Sequence, residues 1–130
     1  MPVTQVVFYA ERGGRPPVLE WLRDLKRRDR QGLARCIARM EQLAAMGHEL
    51  RRPAADYLRD GIYELRAKSG RVQYRILYFF HGRDVVVLAH AIVKAGAAVP
   101  AADVDKAGHR KRMYERDPDE HTYEGSLDHG

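Results

Sequence analysis

The sequence predicts an α+β domain in which two N-terminal helices pack on a small twisted antiparallel sheet, in the order β-α-α-β-β-β-α. Three observations lead there. The stretch Gly61–Lys94, GIYELRAKSGRVQYRILYFFHGRDVVVLAHAIVK, is rich in β-branched and aromatic residues. Short Gly-containing turns break it twice, the signature of three strands joined by hairpins. Between residues 16 and 47, apolar residues recur at i, i+3, i+4 and i+7, the spacing of helices with one buried stripe. Two such helices need an apolar surface to cover, and the sheet provides it.

In chain order, Val3–Tyr9 is a short strand candidate and Glu11–Arg15 a loop. Pro16 and Pro17 suit a first helical turn, where a missing N–H costs nothing. Val18, Trp21, Leu22 and Leu25 form that helix's stripe. Asp29 is placed to cap a second helix. Its stripe is Leu33, Cys36, Ile37, Met40, Leu43 and Ala44, and Gly47 is its stop. The charged stretch His48–Asp60 reads as a connection, with Pro53 and Leu58 holding it to the body. Strands Ile62–Ala67, Val72–Phe80 and Val85–Val93 follow. Pro100 opens a last helix reaching about Tyr114, with a thin apolar face of Val104, Ala107 and Met113. Lys106, His109, Arg110, Lys111, Arg112 and Arg116 make it strongly basic. Residues 1–116 thus form one domain. Residues 117–130 form an acidic tail without periodicity, expected to be mobile.

Side chains alternate between the two faces of a strand. In the middle strand Val72, Tyr74, Ile76, Tyr78 and Phe80 face one way, and Arg71, Gln73, Arg75, Leu77 and Phe79 the other. In the first, Tyr63, Leu65 and Ala67 oppose Glu64, Arg66 and Lys68. In the third, Val86, Leu88, His90, Ile92 and Lys94 are in phase. One face then gathers Arg66, Arg75, His90 and Lys94 around a partly apolar floor, which is the candidate site. Plainer roles stand beside this one. Glu64 is available as a cross-strand partner for the arginines, a strand histidine often packs internally, and Tyr78 reads as core with Ile76 and Phe80. Phe79 shares the Arg75 face.

At 130 residues the chain is one domain. No apolar run approaches the roughly 18 residues of a membrane span, and the N-terminus lacks the basic-then-apolar pattern of a signal peptide. A cytoplasmic protein is the expectation. The single cysteine, Cys36, falls on a helix stripe and reads as a buried thiol. The six histidines include no HxxxH or HExxH pair, so neither metal nor cofactor is expected. Gly13-Gly14 lacks the Lys-Ser/Thr of a phosphate loop. Net charge is +5, unevenly placed: Asp117, Asp119, Glu120, Glu124 and Asp128 all follow Arg116. The body therefore carries 23 basic residues against 13 acidic, a net of +10. Such an excess favours a polyanionic partner through counterion release and long-range attraction.

The segments VVFYAERGGRPPVLEWLRDL, GIYELR and YRILYFF, followed by H(x)₃K and P(x)₆A(x)₂R(x)₃Y, resemble the HigB-like branch of the RelE/ParE toxins. These are the toxin halves of bacterial and phage type II toxin–antitoxin systems. The resemblance spans roughly residues 5–114 and implies a RelE/ParE-like fold and a ribosome-dependent mRNA endonuclease that inhibits translation. In that chemistry the RNA 2′-OH attacks the adjacent phosphate. The enzyme must stabilise the crowded phosphorane and move protons at the sugar oxygens. The resemblance places Arg66, Arg75 and Lys94 at the family's basic positions, with Arg75 as phosphate grip, and leaves His90 for proton transfer. Lys68, Arg71, Phe79 and Arg110 are the accompanying RNA-contact candidates, Phe79 by stacking. The implied partners are a cognate antitoxin, the ribosome with its mRNA, and operator DNA only through the antitoxin complex. The chain departs from the pattern at Ala95, where the branch carries a second basic residue, and in lacking a tyrosine between Ala95 and Val99. The alternatives are a non-catalytic ParE-like toxin acting on a protein such as DNA gyrase, or a degenerate antitoxin- and operator-binding relative.

Overall fold

A computed structural model describes residues 3–123. The elements run β1 (Gln5–Phe8), α1 (Pro17–Arg28), α2 (Arg30–Met46), β2 (Ala55–Arg59), β3 (Ile62–Ser69), β4 (Val72–His81), β5 (Val85–Lys94) and α3 (Ala101–Arg116). The strands form one sheet in the order β1-β5-β4-β3-β2.

Two features differ from the expectation. The connection 48–60 contains a strand, β2, paired with β3 through a two-residue turn. That turn, Asp60-Gly61, has positive φ at both positions, which the tight hairpin geometry requires and Gly tolerates. The sheet is also mixed rather than antiparallel, because β1 pairs parallel with β5 from Gln5↔Val85 to Phe8↔Leu88. The chain leaves β1, lays α1 and α2 across one face, and re-enters at the far edge as β2. Hairpins then step back across the sheet until β5 arrives beside β1 in the same direction. A reading based on neighbouring turns finds the hairpins but misses so distant a pairing.

The helices form for the expected local reasons. Pro17 starts α1, and Lys26, Arg27 and Arg28 sit where its dipole favours cations. Val18, Leu19, Leu22 and Leu25 are its buried residues, while Trp21 lies at the rim, edge-on to Tyr74. Burying each such aliphatic side chain contributes about 1.5–3 kcal/mol. Together with Cys36 and Leu43 of α2, they pack on Leu65, Ala67, Tyr74, Ile76, Tyr78, Val86 and Leu88. Tyr78 is thus core. The Cys36 thiol is fully buried, which pushes its pKa up to about 12. On the opposite face α3 places Val104, Ala107 and Tyr114 over Ile62, Leu77, Phe79, Val87 and Ala89. Met113 packs half-buried against the same cluster, as expected, and Tyr114 adds a buried ring to the stripe.

Asp29 joins the two layers. Its Oδ1 accepts from the Gly32 backbone N–H at 2.8 Å, capping α2, and from Ser69 Oγ at 3.3 Å. Its Oδ2 accepts from the Tyr74 hydroxyl at 2.7 Å. These donors hold the Asp29 carboxyl below its ordinary range, the Tyr74 hydroxyl most strongly. Burial first, and Asp29 second, push Tyr74 up to about 12.

The acidic segment expected to be mobile instead returns to the body as far as Tyr123. Ala10 N–H donates to His121 O at 2.8 Å, and Tyr123 N–H to Phe8 O at 3.0 Å. His121 is buried, 3% exposed, and stacks on Tyr9. Burial of His121 and the backbone pairing hold what charge alone suggested would be solvated. The remainder of that tail, residues 124–130, lies outside the described residues.

Asp29→Ala should lower the melting temperature and change its pH dependence. A carboxyl whose folded pKa is depressed stabilises above its unfolded value and loses that contribution as pH falls through the folded one. Thermal melts from pH 7 down to pH 2 should therefore show a steeper acid loss in wild type than in Asp29→Ala. Equal slopes would mean that the carboxylate does not hold the layers together.

Candidate functional site

Antiparallel partners share a face, so the ladder registers place three rows side by side on the α3 side of the sheet. They are Glu64–Leu77–His90, Arg66–Arg75–Ile92 and Lys68–Gln73–Lys94. The four candidates Arg66, Arg75, His90 and Lys94 all fall on this face. His90 reaches it only through a bulge, because Leu77 pairs with His90 while Tyr78 pairs with Leu88, leaving Ala89 as an extra residue. Strict alternation, which puts His90 in phase with Val86 and Leu88, is thus corrected. Those two belong to the α1/α2 core, and His90 does not.

Past the cluster that α3 covers, the face opens into a cleft of about 320 Å³ lined by Arg39, Pro53, Arg66, Ala67, Lys68, Gln73 and Arg75. Among the described residues no Asp or Glu lines it. Arg39 arrives from α2 around the free end of β3, where its Nε donates to Arg66 O at 2.8 Å. A second cleft, lined by Arg35, Ala38, Arg39, Gln42, Ala67 and Lys68, adjoins across the same edge. Cations therefore surround the end of β3 on both sides. Lys94 stands at the open end of β5, its Nζ donating to Gly96 O at 2.7 Å. Arg71 is exposed at the β3–β4 turn.

Three expected roles need correction. Arg75 is 2% exposed and spends its guanidinium internally. Nε donates to Glu64 Oε1 at 3.1 Å, Nη1 to Tyr74 O at 3.0 Å and Nη2 to Gln73 Oε1 at 2.7 Å. Burial lowers its pKa and the Glu64 carboxylate opposes that, the balance of a paired internal charge. Arg75 thus forms the floor of the cleft rather than a free phosphate grip. Phe79 is fully buried against Tyr114 of α3, at 5.6 Å between ring centroids, so no base can stack on it. Arg110 is turned inward: Nη1 donates to Ala89 O at 2.7 Å and Nη2 pairs with Glu11 Oε1 at 3.0 Å.

His90 is mostly buried beside the cleft, without lining it. Its Nε2 is 2.7 Å from Asp103 Oδ1 in the first turn of α3. Burial lowers the His90 pKa from its ordinary value, and the Asp103 hydrogen bond opposes the change. Burial thus favours the neutral imidazole. With Nε2–H donating to Asp103, Nδ1 keeps its lone pair. Sequence reasoning missed Asp103 and Arg39. Asp103 had a signal, an acidic residue three positions into the helix opened by Pro100. Arg39 had none, since its position on α2 is ordinary for a solvent-facing cation.

Two substitutions test this assignment. Glu64→Ala should cost about 3 kcal/mol in urea unfolding, because it strands the Arg75 charge. Phe79→Ala should cost about 3–5 kcal/mol. A Phe79 variant as stable as wild type would return that ring to the surface.

The family described as "Phage derived protein Gp49-like (DUF891)" matches residues 20–112, from α1 through most of α3. No curated protein matches the chain significantly. Among the described residues no helix is long and apolar enough to cross a membrane. The match takes in α2, the four strands β2 to β5 and every residue lining the cleft, and the chain belongs to the phage-derived Gp49-like family.

Proposed function

We propose that this protein is the toxin of a toxin–antitoxin pair and cleaves mRNA on the ribosome at the basic cleft. Membership of a family that is often toxin-like in such systems supports the general assignment. The observation that carries the chemistry is the pairing, on one sheet face, of a cationic cleft lined by no Asp or Glu among the described residues with a histidine oriented by a carboxylate. Arg66 and Lys68, aided by Lys94 and Arg39, hold the scissile phosphate and the charge that builds on it. Arg75 keeps the strands under them in register. His90 Nδ1 takes the proton from the 2′-OH as its oxygen bonds to phosphorus, and Asp103 stabilises the imidazolium that results. The P–O5′ bond breaks, leaving a 2′,3′-cyclic phosphate, and the departing 5′-oxygen takes a proton from water. The neutralising partner is a cognate antitoxin, and operator DNA is met only through that complex.

A second reading, a ParE-like toxin that blocks a protein target such as DNA gyrase, draws on a specific observation. Arg75 is committed to Glu64 and Gln73, and His90 lies outside the cleft lining. Binding a target tolerates that dispersal where hydrolysis does not.

Primer extension on a reporter mRNA in translating extract separates the two. New 5′ ends inside the reading frame should appear with wild type and disappear without ribosomes. Arg66→Ala should weaken cleavage, and removal of His90 should slow it by about 10²–10⁴-fold. Because burial lowers the His90 pKa, the rate should hold as pH falls through about 6.5, the ordinary histidine value, and decline only below it. Intact mRNA beside growth arrest would favour the protein target.

A further inference from the structure

Arg110 reaches from α3 to the backbone of β5. A bulged residue sits outside the regular ladder, so its carbonyl needs another donor. Arg110 Nη1 supplies it to Ala89 O at 2.7 Å. The guanidinium is braced by Glu11 at 3.0 Å and lies over the Tyr9 ring, 5.7 Å from its centroid. Tyr9 is itself held by the returning C-terminal segment, with the His121 ring stacked on it at 5.2 Å and 2°. His121 Nδ1 lies 2.8 Å from Ala10 O, and Tyr9 bridges to Thr122. Tyr9, Glu11 and His121 all fall outside the matched family stretch.

We propose that Arg110 is a positioning residue for His90: braced by Glu11 and Tyr9, with the docked segment Asp117–Tyr123 stacked on Tyr9, it fixes the Ala89 bulge that turns His90 onto the basic face. Without that bulge the strand's alternation returns His90 to the side of Val86 and Leu88. The charged groups facing His90 from α3 are Asp103, Lys106 and Arg110. Along its row on the sheet, Leu77 is adjacent and Glu64 lies beyond, neutralised by Arg75. Arg110 and Lys106 favour the neutral imidazole and Asp103 the charged one. The inference deepens the reading of His90 as the proton acceptor, yet the imidazole itself reports on it without RNA.

The test is an NMR titration of the His90 ring in the full chain, assigned with His90→Gln. Arg110→Met loses the bulge's donor and a cation together, and the two act oppositely: the lost charge favours the imidazolium, while a His90 turned from Asp103 toward the apolar side disfavours it. Variants that keep the cation therefore decide. In His121→Ala, which leaves Arg110 present but loosens Tyr9, the midpoint should move downward. Arg110→Lys, which keeps the charge and one donor, should lie near wild type. A merely structural role would lower the melting temperature and leave the midpoint in place, and an unmoved midpoint in His121→Ala overturns the proposal. Should that variant fail to fold, Tyr9→Leu, which removes the ring under the guanidinium, decides in its place, and an unmoved midpoint there overturns it. A midpoint that moves in a protein that never cuts mRNA sustains the positioning role and sinks the nuclease reading.

Discussion

A five-stranded sheet has two faces, and both must be covered or made polar. Here α1 and α2 cover one face, and α3 alone is left for the other. Sixteen residues of α3, thin in apolar side chains, reach only the end of the sheet that carries Ile62, Leu77, Phe79 and Val87. The rest of that face, the outer halves of β3, β4 and β5, must meet water. Its side chains are accordingly Arg66, Lys68, Gln73 and Lys94. The cleft exists because the cover runs out, and its charge follows from the need to solvate what is left.

Within that open end the cations divide into two kinds. Arg75, in the central strand, is enclosed by its neighbours and must have its partner inside the protein, since an unpaired buried guanidinium would be costly. Glu64 and Gln73 fill that need. Arg66, Lys68, Arg39 and Lys94 stand where water can solvate them, and their charge remains available to a ligand. Position in the sheet, rather than residue type, decides which arginine is internal scaffold and which keeps a solvated charge. His90 shows the same logic, since the wall that lowers its pKa also supplies Asp103 to orient it.

Much of this was legible in the sequence. Proline at helix starts, the Asp29 cap, the Gly47 stop and the three-strand run through Gly61–Lys94 are local signals, and local signals survive folding intact. The in-phase set Glu64, Arg66, Lys68, Gln73 and Arg75 followed from strand alternation alone. What escaped was of three kinds. The parallel β1–β5 pairing joins residues far apart in the chain, and β2 is short enough to hide in a charged connection. The Ala89 bulge changes phase by one residue without a Gly or Pro to announce it. Burial separates Phe79 from an exposed ring, and Arg75 and Arg110 from free cations, but burial depends on where α3 lands. The docking of His121 was hidden by the acidic residues around it.

The position of β1 has a consequence for how the protein is made. Its hydrogen-bonding neighbours are residues 85–88 on one side and 121–123 on the other. A strand formed first during synthesis therefore waits for nearly the whole chain before it can pair. Contacts of such long sequence separation close slowly and late. The hairpins β2–β5 can assemble while the chain is still growing, but Tyr9 cannot be seated until His121 has left the ribosome. Chains stopped short of that point lack the brace on the bulge, so translation must pass residue 121 before the complete site can form.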